Sequence, residues 1–144
     1  MVELQKHMES ACSIAVKNAS DRILEELQKC ISEDYYMQYS PNYYERTYTF
    51  YKSAVAKLLN DHESEIGISD LYMNYEYPAK YKLLNGDTGH WTGADQTNMA
   101  ASGYHGTYYI QTEGRFWDSF IEFCEKNAIN ILKEELKKQG INVK

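Results

Sequence analysis

The feature that most constrains the fold is a tyrosine-rich segment around Ser40-Pro41. The stretch 34–47 contains five of the chain's fourteen tyrosines and one of its two prolines. Proline pushes the preceding residue out of the helical region, so a helix that approaches this segment must end within it. The tyrosines on both sides must pack on the rest of the chain. The sequence therefore predicts a buried aromatic corner.

We expect this corner to be a structural anchor, with Tyr39, Tyr43 and the nearby Phe50 packed against helices. Arg46 should bond nearby carbonyls or a carboxylate, either Asp34 or Glu45. The predicted corner residues are Tyr39, Ser40, Pro41, Tyr43, Arg46 and Thr47.

Two amphipathic helices bracket the middle of the chain. The first is predicted over 9–33, because apolar residues recur there at steps of three and four. The second is predicted over 114–139, beginning near Glu113 or Arg115, on the same kind of spacing. Lys137 and Lys138 complement the negative end of its dipole, and Gly140 is the expected residue just beyond it.

Most charged side chains on these helices are predicted to lie on the solvent-exposed surface. Favourable pairs four residues apart are predicted for Glu25 with Lys29, Glu122 with Lys126, and Glu134 with Lys138. Adjacent carboxylates do not face each other on a helix. They are therefore interpreted as exposed faces in the pairs Glu25/Glu26, Glu33/Asp34 and Glu134/Glu135.

The region 48–72 is predicted to form an antiparallel hairpin. Alternating apolar residues indicate a strand from Thr47 to Leu59, although its first residues could instead form a helical turn. Asn60-Asp61-His62 is a turn signal, and alternation resumes from Ser64 to Tyr72. Gly67 falls on the opposite face and could mark a bulge.

A long glycine-rich loop is predicted over 74–112, with short strands at 77–84 and 107–111. Loops of this length in a compact domain are usually functional or become ordered on assembly. We expect 74–103 to be the most mobile part of the free monomer. The whole chain, 1–144, is then a single α+β domain in which two long helices pack on a small antiparallel sheet.

Composition excludes several classes of protein. The net charge of −6 argues against a general polyanion binder, so nucleic acid is an unlikely partner. No apolar run approaches a membrane span, and the polar start lacks the core of a signal peptide. The cysteines are interpreted as reduced core residues of an intracellular protein, because Cys12 and Cys30 fall on the apolar stripe.

Candidate chemistry is sparse, and no catalytic, cofactor or metal residue is assigned. A metal site would require His90 and His105 to meet, with Asp87 or Asp95, and the alternative is histidines bonded locally in turns. Ser102 stands three residues before His105 without a nucleophile-elbow pattern. We expect a protein that is not an enzyme and that needs neither metal nor cofactor to fold.

The tyrosines could also stack single-stranded bases, but that requires a positive groove. Lys80 and Lys82 beside Tyr81 make a thin one. The alternative is that the tyrosines belong to the core and to protein interfaces, because tyrosine combines a large apolar area with a polar tip.

The order of features resembles that of small neck or tail-completion proteins, which join head to tail in long-tailed phages and prophages of Gram-positive bacteria. The resemblance is carried by the segment 39–47, Tyr-Ser-Pro-Asn-Tyr-Tyr-Glu-Arg-Thr, after an amphipathic helix. A loop with Tyr104-His105-Gly106 and an aromatic start to the closing helix, Phe116-Trp117-Asp118, continue it. The long segment 74–103 departs from the commoner pattern.

This resemblance implies a non-enzymatic virion structural protein that assembles as a ring between the portal-side connector and the tail terminator or tail tube. Its implied location is the bacterial cytoplasm during assembly and then the virion neck. We expect a homo-oligomeric ring in the virion, although the isolated protein could remain monomeric. The expected interface centres on Trp91, Tyr104, His105 and Tyr108. The alternative is a small phage-encoded or mobile-element-encoded effector that binds and inhibits a host protein.

Overall fold

A computed structural model describes residues 2–40, 48–69, 71, 75–76, 90–91, 93–104 and 112–143. Its elements, in chain order, are helix α1 (Val2–Asp34), a 3-10 turn (Tyr36–Gln38), helix α2 (Thr49–Lys52), strands β1 (Ala54–Asn60), β2 (Glu63–Ile68), β3 (Tyr75–Glu76) and β4 (His90–Trp91), helix α3 (Gly93–Ala101) and helix α4 (Phe116–Lys138). The predicted α+β class is confirmed.

The central element is α1, because both α4 and the β1–β2 hairpin contact it. Arg22 of α1 bonds Glu134 and Glu135 near the end of α4. Leu27 and Ile31 share a core cluster with Phe116, at the start of α4. The two helices therefore run antiparallel, side by side.

The main core lies where the end of α1 meets the start of α4. Phe116, Leu27, Ile31 and Ser53 are the largest fully buried side chains there. Burying one large apolar side chain contributes roughly 1.5–3 kcal/mol. Ala54 from β1 and Ala100 from α3 complete the same cluster. The hairpin and α3 are thus tied into one core with the helix pair.

The first helix is longer than the sequence pattern predicted, since it begins at Val2 and not at residue 9. Every residue from Val2 to Ser10 is exposed, so an apolar stripe could not reveal this part. Those residues include good helix formers and neither Gly nor Pro. The closing helix begins at Phe116, slightly later than predicted, and ends at Lys138.

The hairpin is confirmed, with two corrections to its details. The chain forms one helical turn at Thr49–Lys52 before β1 begins at Ala54, so the helical-turn alternative holds for these residues. The ladder pairs Val55 with Gly67 without interruption, and its irregularity lies between Leu58 and Asn60. Gly67 is therefore not a bulge. The extra residue is absorbed beside the turn.

The predicted loop over 74–112 is wrong for Gly93–Ala101, which form α3. The glycines had been interpreted as turns, but Gly103 ends this helix in the left-handed conformation, with φ of 80°. The amide of Gly103 donates to Ala100, and that of Tyr104 donates to Met99. These two bonds are a Schellman cap. The short strands predicted at 77–84 and 107–111 lie outside the described residues.

Candidate protein-docking surface

A continuous series of aromatic rings crosses the corner end of the helix pair. Neighbouring ring centroids are 5.0–5.9 Å apart, and most pairs meet edge to face. Contacts of this geometry contribute about 0.5–1.5 kcal/mol each beyond their buried area. We call this series the ring chain, and its members in order of contact are Tyr48, Tyr36, Tyr35, Phe50, Phe116, Trp117 and Phe120.

Burial and hydrogen bonds fix the middle of the ring chain. Phe116 is fully buried and Phe50 is nearly so. The Tyr35 hydroxyl donates to the carbonyl of Tyr104 at 3.3 Å, which joins the residue after α1 to the cap that follows α3. The Ser53 hydroxyl donates to the carbonyl of Phe50 at 2.6 Å, so the polar group beside the rings is satisfied.

Two glycines allow two backbone segments next to the ring chain to approach each other closely. Gly103 and Gly114 both have positive φ, and a Cβ on either would overlap backbone atoms of the other's segment. The amide of Thr112 donates to the carbonyl of Gly103 at 2.8 Å. This close crossing fixes the end of α3 against the residues that lead into Phe116.

The ring chain reaches solvent at two of its members. Tyr48, at one end, is 49% exposed, and Trp117, next to the buried Phe120 at the other end, is 37% exposed. Met37 follows Tyr36 in the chain and is 75% exposed. Tyr, Trp and Met are enriched at the centres of protein interfaces. The supported rings thus end in the side chains that such interfaces use.

Tyr48 has an unusual backbone conformation, with φ of 54° and ψ of 23°. This is the left-handed region, which costs a bulky residue about 1–2 kcal/mol. The conformation accompanies a ring that contacts Tyr36 at a centroid distance of 5.0 Å. Strain of this kind persists where the surroundings fix it, and it clusters at functional sites.

Glu33 and Asp34 directly precede Tyr35 and Tyr36 in the chain, in the last turn of α1. That turn contains no basic residue. Negative charge at a helix carboxyl end opposes the dipole, by roughly 0.3–1 kcal/mol per charge. Neither carboxylate takes part in a salt bridge between described residues. We define the docking face as Glu33, Asp34, Tyr36, Met37 and Tyr48.

The opposite end of the helix pair has a different character. Glu135 is 2% exposed, yet its carboxylate accepts from Arg22 Nη1 at 2.8 Å and from Lys138 Nζ at 2.6 Å. The bonds from Lys138 and Arg22 lower the pKa of Glu135, against an opposing effect of burial. Reading Glu134/Glu135 as an exposed face was therefore wrong for Glu135.

The same end is capped as expected. Gly140 has φ of 81°, its amide donates to Lys137, and that of Ile141 donates to Leu136. The prediction that Gly140 follows the last helical turn is confirmed. The Glu122–Lys126 pair is present at 3.6 Å, whereas Lys29 pairs with Glu26 in place of Glu25.

The cysteines are free thiols, as expected. Cys30 is buried in the core cluster, and burial, followed by the charges of Glu26 and Asp34, raises its pKa to about 11. Burial also raises the pKa of Cys124. Cys12, by contrast, is only half-buried, so the core interpretation holds fully for Cys30 alone.

Only part of the predicted corner falls on described residues. Tyr39 is half-buried and Ser40 is exposed, while Pro41, Tyr43, Arg46 and Thr47 lie outside them. Of the predicted interface, Tyr104 is half-buried and Trp91 belongs to β4. His105 and Tyr108 lie outside the described residues. The proposed meeting of His90 with His105 stays a prediction.

Sequence reasoning missed the docking face itself. Tyr35 and Tyr36 were grouped with the corner, but Tyr48 was assigned to a pleated strand. The two carboxylates at the end of α1 were a usable signal, because they oppose the dipole. The left-handed backbone of Tyr48 has no signal in the sequence, since bulky residues rarely adopt it.

Other features of the described residues bear on the candidate chemistry. The Ser102 hydroxyl donates to the carbonyl of Asn98, which is a helix-end contact. An open groove of about 340 Å³ lies between α1 and the hairpin turn. Across it, the Ser13 hydroxyl donates a long hydrogen bond of 3.5 Å to the carboxylate of Asp61. Among the described residues, no three potential ligands are grouped for a metal ion. No helix in the described ranges is long and apolar enough to cross a membrane.

The protein has an α+β fold with exposed aromatic side chains at the corner end of the helix pair, and no three potential metal ligands are grouped among its described residues. The chain belongs to the YomN family, whose model matches residues 1–139. YomN is the name of a protein from a Bacillus phage or prophage region, so the family is phage-related. No curated protein and no solved structure matches the chain.

Proposed function

We propose that this protein is a non-enzymatic phage structural protein that joins the head connector to the tail. It works in the bacterial cytoplasm during assembly and then remains in the virion neck. Membership of a phage-related family supports the setting. The resemblance of segment 39–47 and of the general layout to neck proteins supports the more specific role.

The observation that carries the proposal is the exposed end of the ring chain. Met37 and Tyr48 are exposed, Tyr48 contacts the half-buried Tyr36, and Phe50 and Phe116 further along the ring chain are buried in the main core. Rigid aromatic residues bind partners with little loss of side-chain freedom, and they dominate the energy of many interfaces. A surface of this kind suits a part whose task is contact with other proteins.

The assembly we propose is a ring of identical copies. A head-to-tail contact repeated between copies closes when the rotation per copy divides a full turn. The region of Trp91 and Tyr104 is our candidate for the contact between copies. The docking face is then left for the neighbouring component, either the portal-side connector or the tail side.

Deletion of the gene from the phage that encodes it tests this function. The expected result is separate filled heads and complete tails in electron micrographs, with infectivity restored by wild-type protein supplied in trans. Joined particles at normal yield would contradict the proposal. In joined particles from the complemented strain, labelled protein should be found at the neck.

A second candidate is an effector that binds and inhibits a host protein. The strained aromatic face and the net charge of −6 suit a host target as well as a virion partner. The same deletion separates the two functions. An effector mutant would yield normally joined particles while losing an effect on host growth when the protein is expressed alone.

A further inference from the structure

The charge of the corner end indicates what the docking face binds. The charged residues at 25–34 in α1, and at 113–126 in the lead-in and first half of α4, are mostly carboxylates. The acids Glu25, Glu26, Glu33, Asp34, Glu113, Asp118, Glu122 and Glu125 outnumber the bases Lys29, Arg115 and Lys126. Lys29 and Lys126 are already paired with Glu26 and Glu122. Most of the negative charge thus remains uncompensated within the described residues.

We propose that the docking face receives a basic protein surface with an apolar centre, carried by a structural protein of the phage particle. Tyr36, Met37 and Tyr48 would cover the apolar centre. Glu33 and Asp34 would pair with lysine or arginine around it, and arginine could also lie over the exposed ring of Tyr48. This inference rests on the proposed function and names the chemistry of its partner.

Placement of the two carboxylates supports a role in binding over a role in folding. At the end of α1 they oppose the helix dipole, and among the described residues no cation pairs with either. A phosphate backbone would be repelled by this surface, so DNA passing through the neck is not its ligand. A basic protein offers the complementary charge, which speeds encounter and selects the partner.

The test is in vitro joining of purified heads and tails from the deletion phage, measured as infectious particles formed over time. The charge variant is Glu33→Gln/Asp34→Asn. Its matched control is Glu3→Gln/Glu9→Gln, which changes net charge equally on the exposed start of the same helix. At about 0.1 M salt we expect the charge variant to join about tenfold more slowly, and the control to join at the wild-type rate.

At about 1 M salt, where charges are screened beyond about 3 Å, wild type and charge variant should converge. Thermal unfolding of the charge variant should show no loss of stability, which separates binding from folding. Equal rates at low salt, or a defect that persists unchanged at high salt, would overturn the basic partner. If wild-type protein itself fails to join heads and tails, the proposed function is wrong and this partner falls with it.

Sedimentation identifies the partner directly. Wild-type protein should sediment with heads alone or with tails alone, more weakly at high salt, and the charge variant should not. If Glu33→Gln/Asp34→Asn instead abolishes self-association of the free protein, the face is a contact between copies and the proposed partner is wrong. Binding to purified phage DNA that disappears in the charge variant would also overturn it.

Discussion

The two ends of the α1–α4 helix pair differ in how well their charges and backbone conformation suit a helix end. At the end of α4, Lys137 and Lys138 match the dipole, Gly140 closes the helix, and the buried Glu135 is bonded to two cations. At the end of α1, the last turn has carboxylates and no base, and the nearby Tyr48 is held in the left-handed region.

This contrast separates stabilising features from functional ones. Natural sequences are locally consistent over most of their length, and the exceptions concentrate where function requires them. At the end of α4, helix stability alone explains the charges and the glycine cap. The corner end has unfavourable charge and backbone strain at its surface, above a tightly packed aromatic interior. We propose that binding of a partner accounts for both properties.

The largest expected effect concerns the support behind the docking face. Gly103→Ala would place a methyl group onto the carbonyl of Thr112 and force a left-handed alanine. We expect a loss of about 3 kcal/mol or more in the free energy of unfolding. The matched control is Gly67→Ala, where a Cβ meets no atom within 4 Å and a gain of about 0.5 kcal/mol is expected. Chemical denaturation measures both, and equal stabilities would refute the close crossing.

A smaller effect is expected at the end of α4. Glu135→Gln keeps the side-chain shape but removes the charge that Arg22 and Lys138 share. We expect a loss of about 1–2 kcal/mol at neutral pH. The neighbouring Glu134→Gln, at a side chain that is 58% exposed, should change stability little. Equal losses at the two positions would show that burial of Glu135 is not decisive.

The stability difference between wild type and Glu135→Gln should depend on pH in a defined direction. Because the folded pKa of Glu135 is below its ordinary value of 4.5, its contribution is complete above that value. It is lost as pH falls through the folded pKa. The gap between wild type and Glu135→Gln should therefore close in acid, as denaturation at several pH values would show. A gap that widens below pH 4.5 would contradict the lowered pKa.

Much of the architecture could be predicted from the sequence, because the main packing faces are regular. The stripe from Cys12 to Ile31 and the one from Phe116 to Leu136 gave both long helices, and Asn60-Asp61-His62 gave the hairpin turn. The start of α1 was missed because its residues are exposed. Helix α3 was missed because Gly93 and Gly103 also suit turns.

The candidate site was harder to predict for physical reasons. Aromatic abundance indicated that tyrosines would cluster, but it could not say which rings end at the surface. Tyr48 is exposed and has a left-handed backbone, and local propensity predicts neither property. The buried Glu135 likewise has a partner, Arg22, that is distant in sequence and adjacent only in the fold.

The smallest expected change in stability comes from removing charges at the two helix ends, and it should have opposite signs at α1 and α4. Glu33→Gln/Asp34→Asn removes negative charge from the carboxyl end of α1. The free energy of unfolding should rise by about 0.6 kcal/mol, the low end for two charges, because Lys29 already interacts favourably with Glu33. The opposite change, Lys137→Gln/Lys138→Gln, should lower it, because those cations match the dipole of α4. Denaturation at low salt measures both, and a decrease in both variants would remove the contrast between the ends.

We propose that the strained, exposed ring of Tyr48 is retained because it binds a partner. The most direct measurement is complementation of the deletion phage by Tyr48→Asn, with Ile129→Ser as a control at a 71% exposed apolar side chain on α4. Asparagine tolerates the left-handed region, so relief of strain offsets the lost ring contact, and stability should stay within about 1 kcal/mol of wild type. We predict that Tyr48→Asn folds but leaves heads and tails unjoined, while Ile129→Ser restores infectivity. Normal infectious yield from the folded Tyr48→Asn protein would contradict the account.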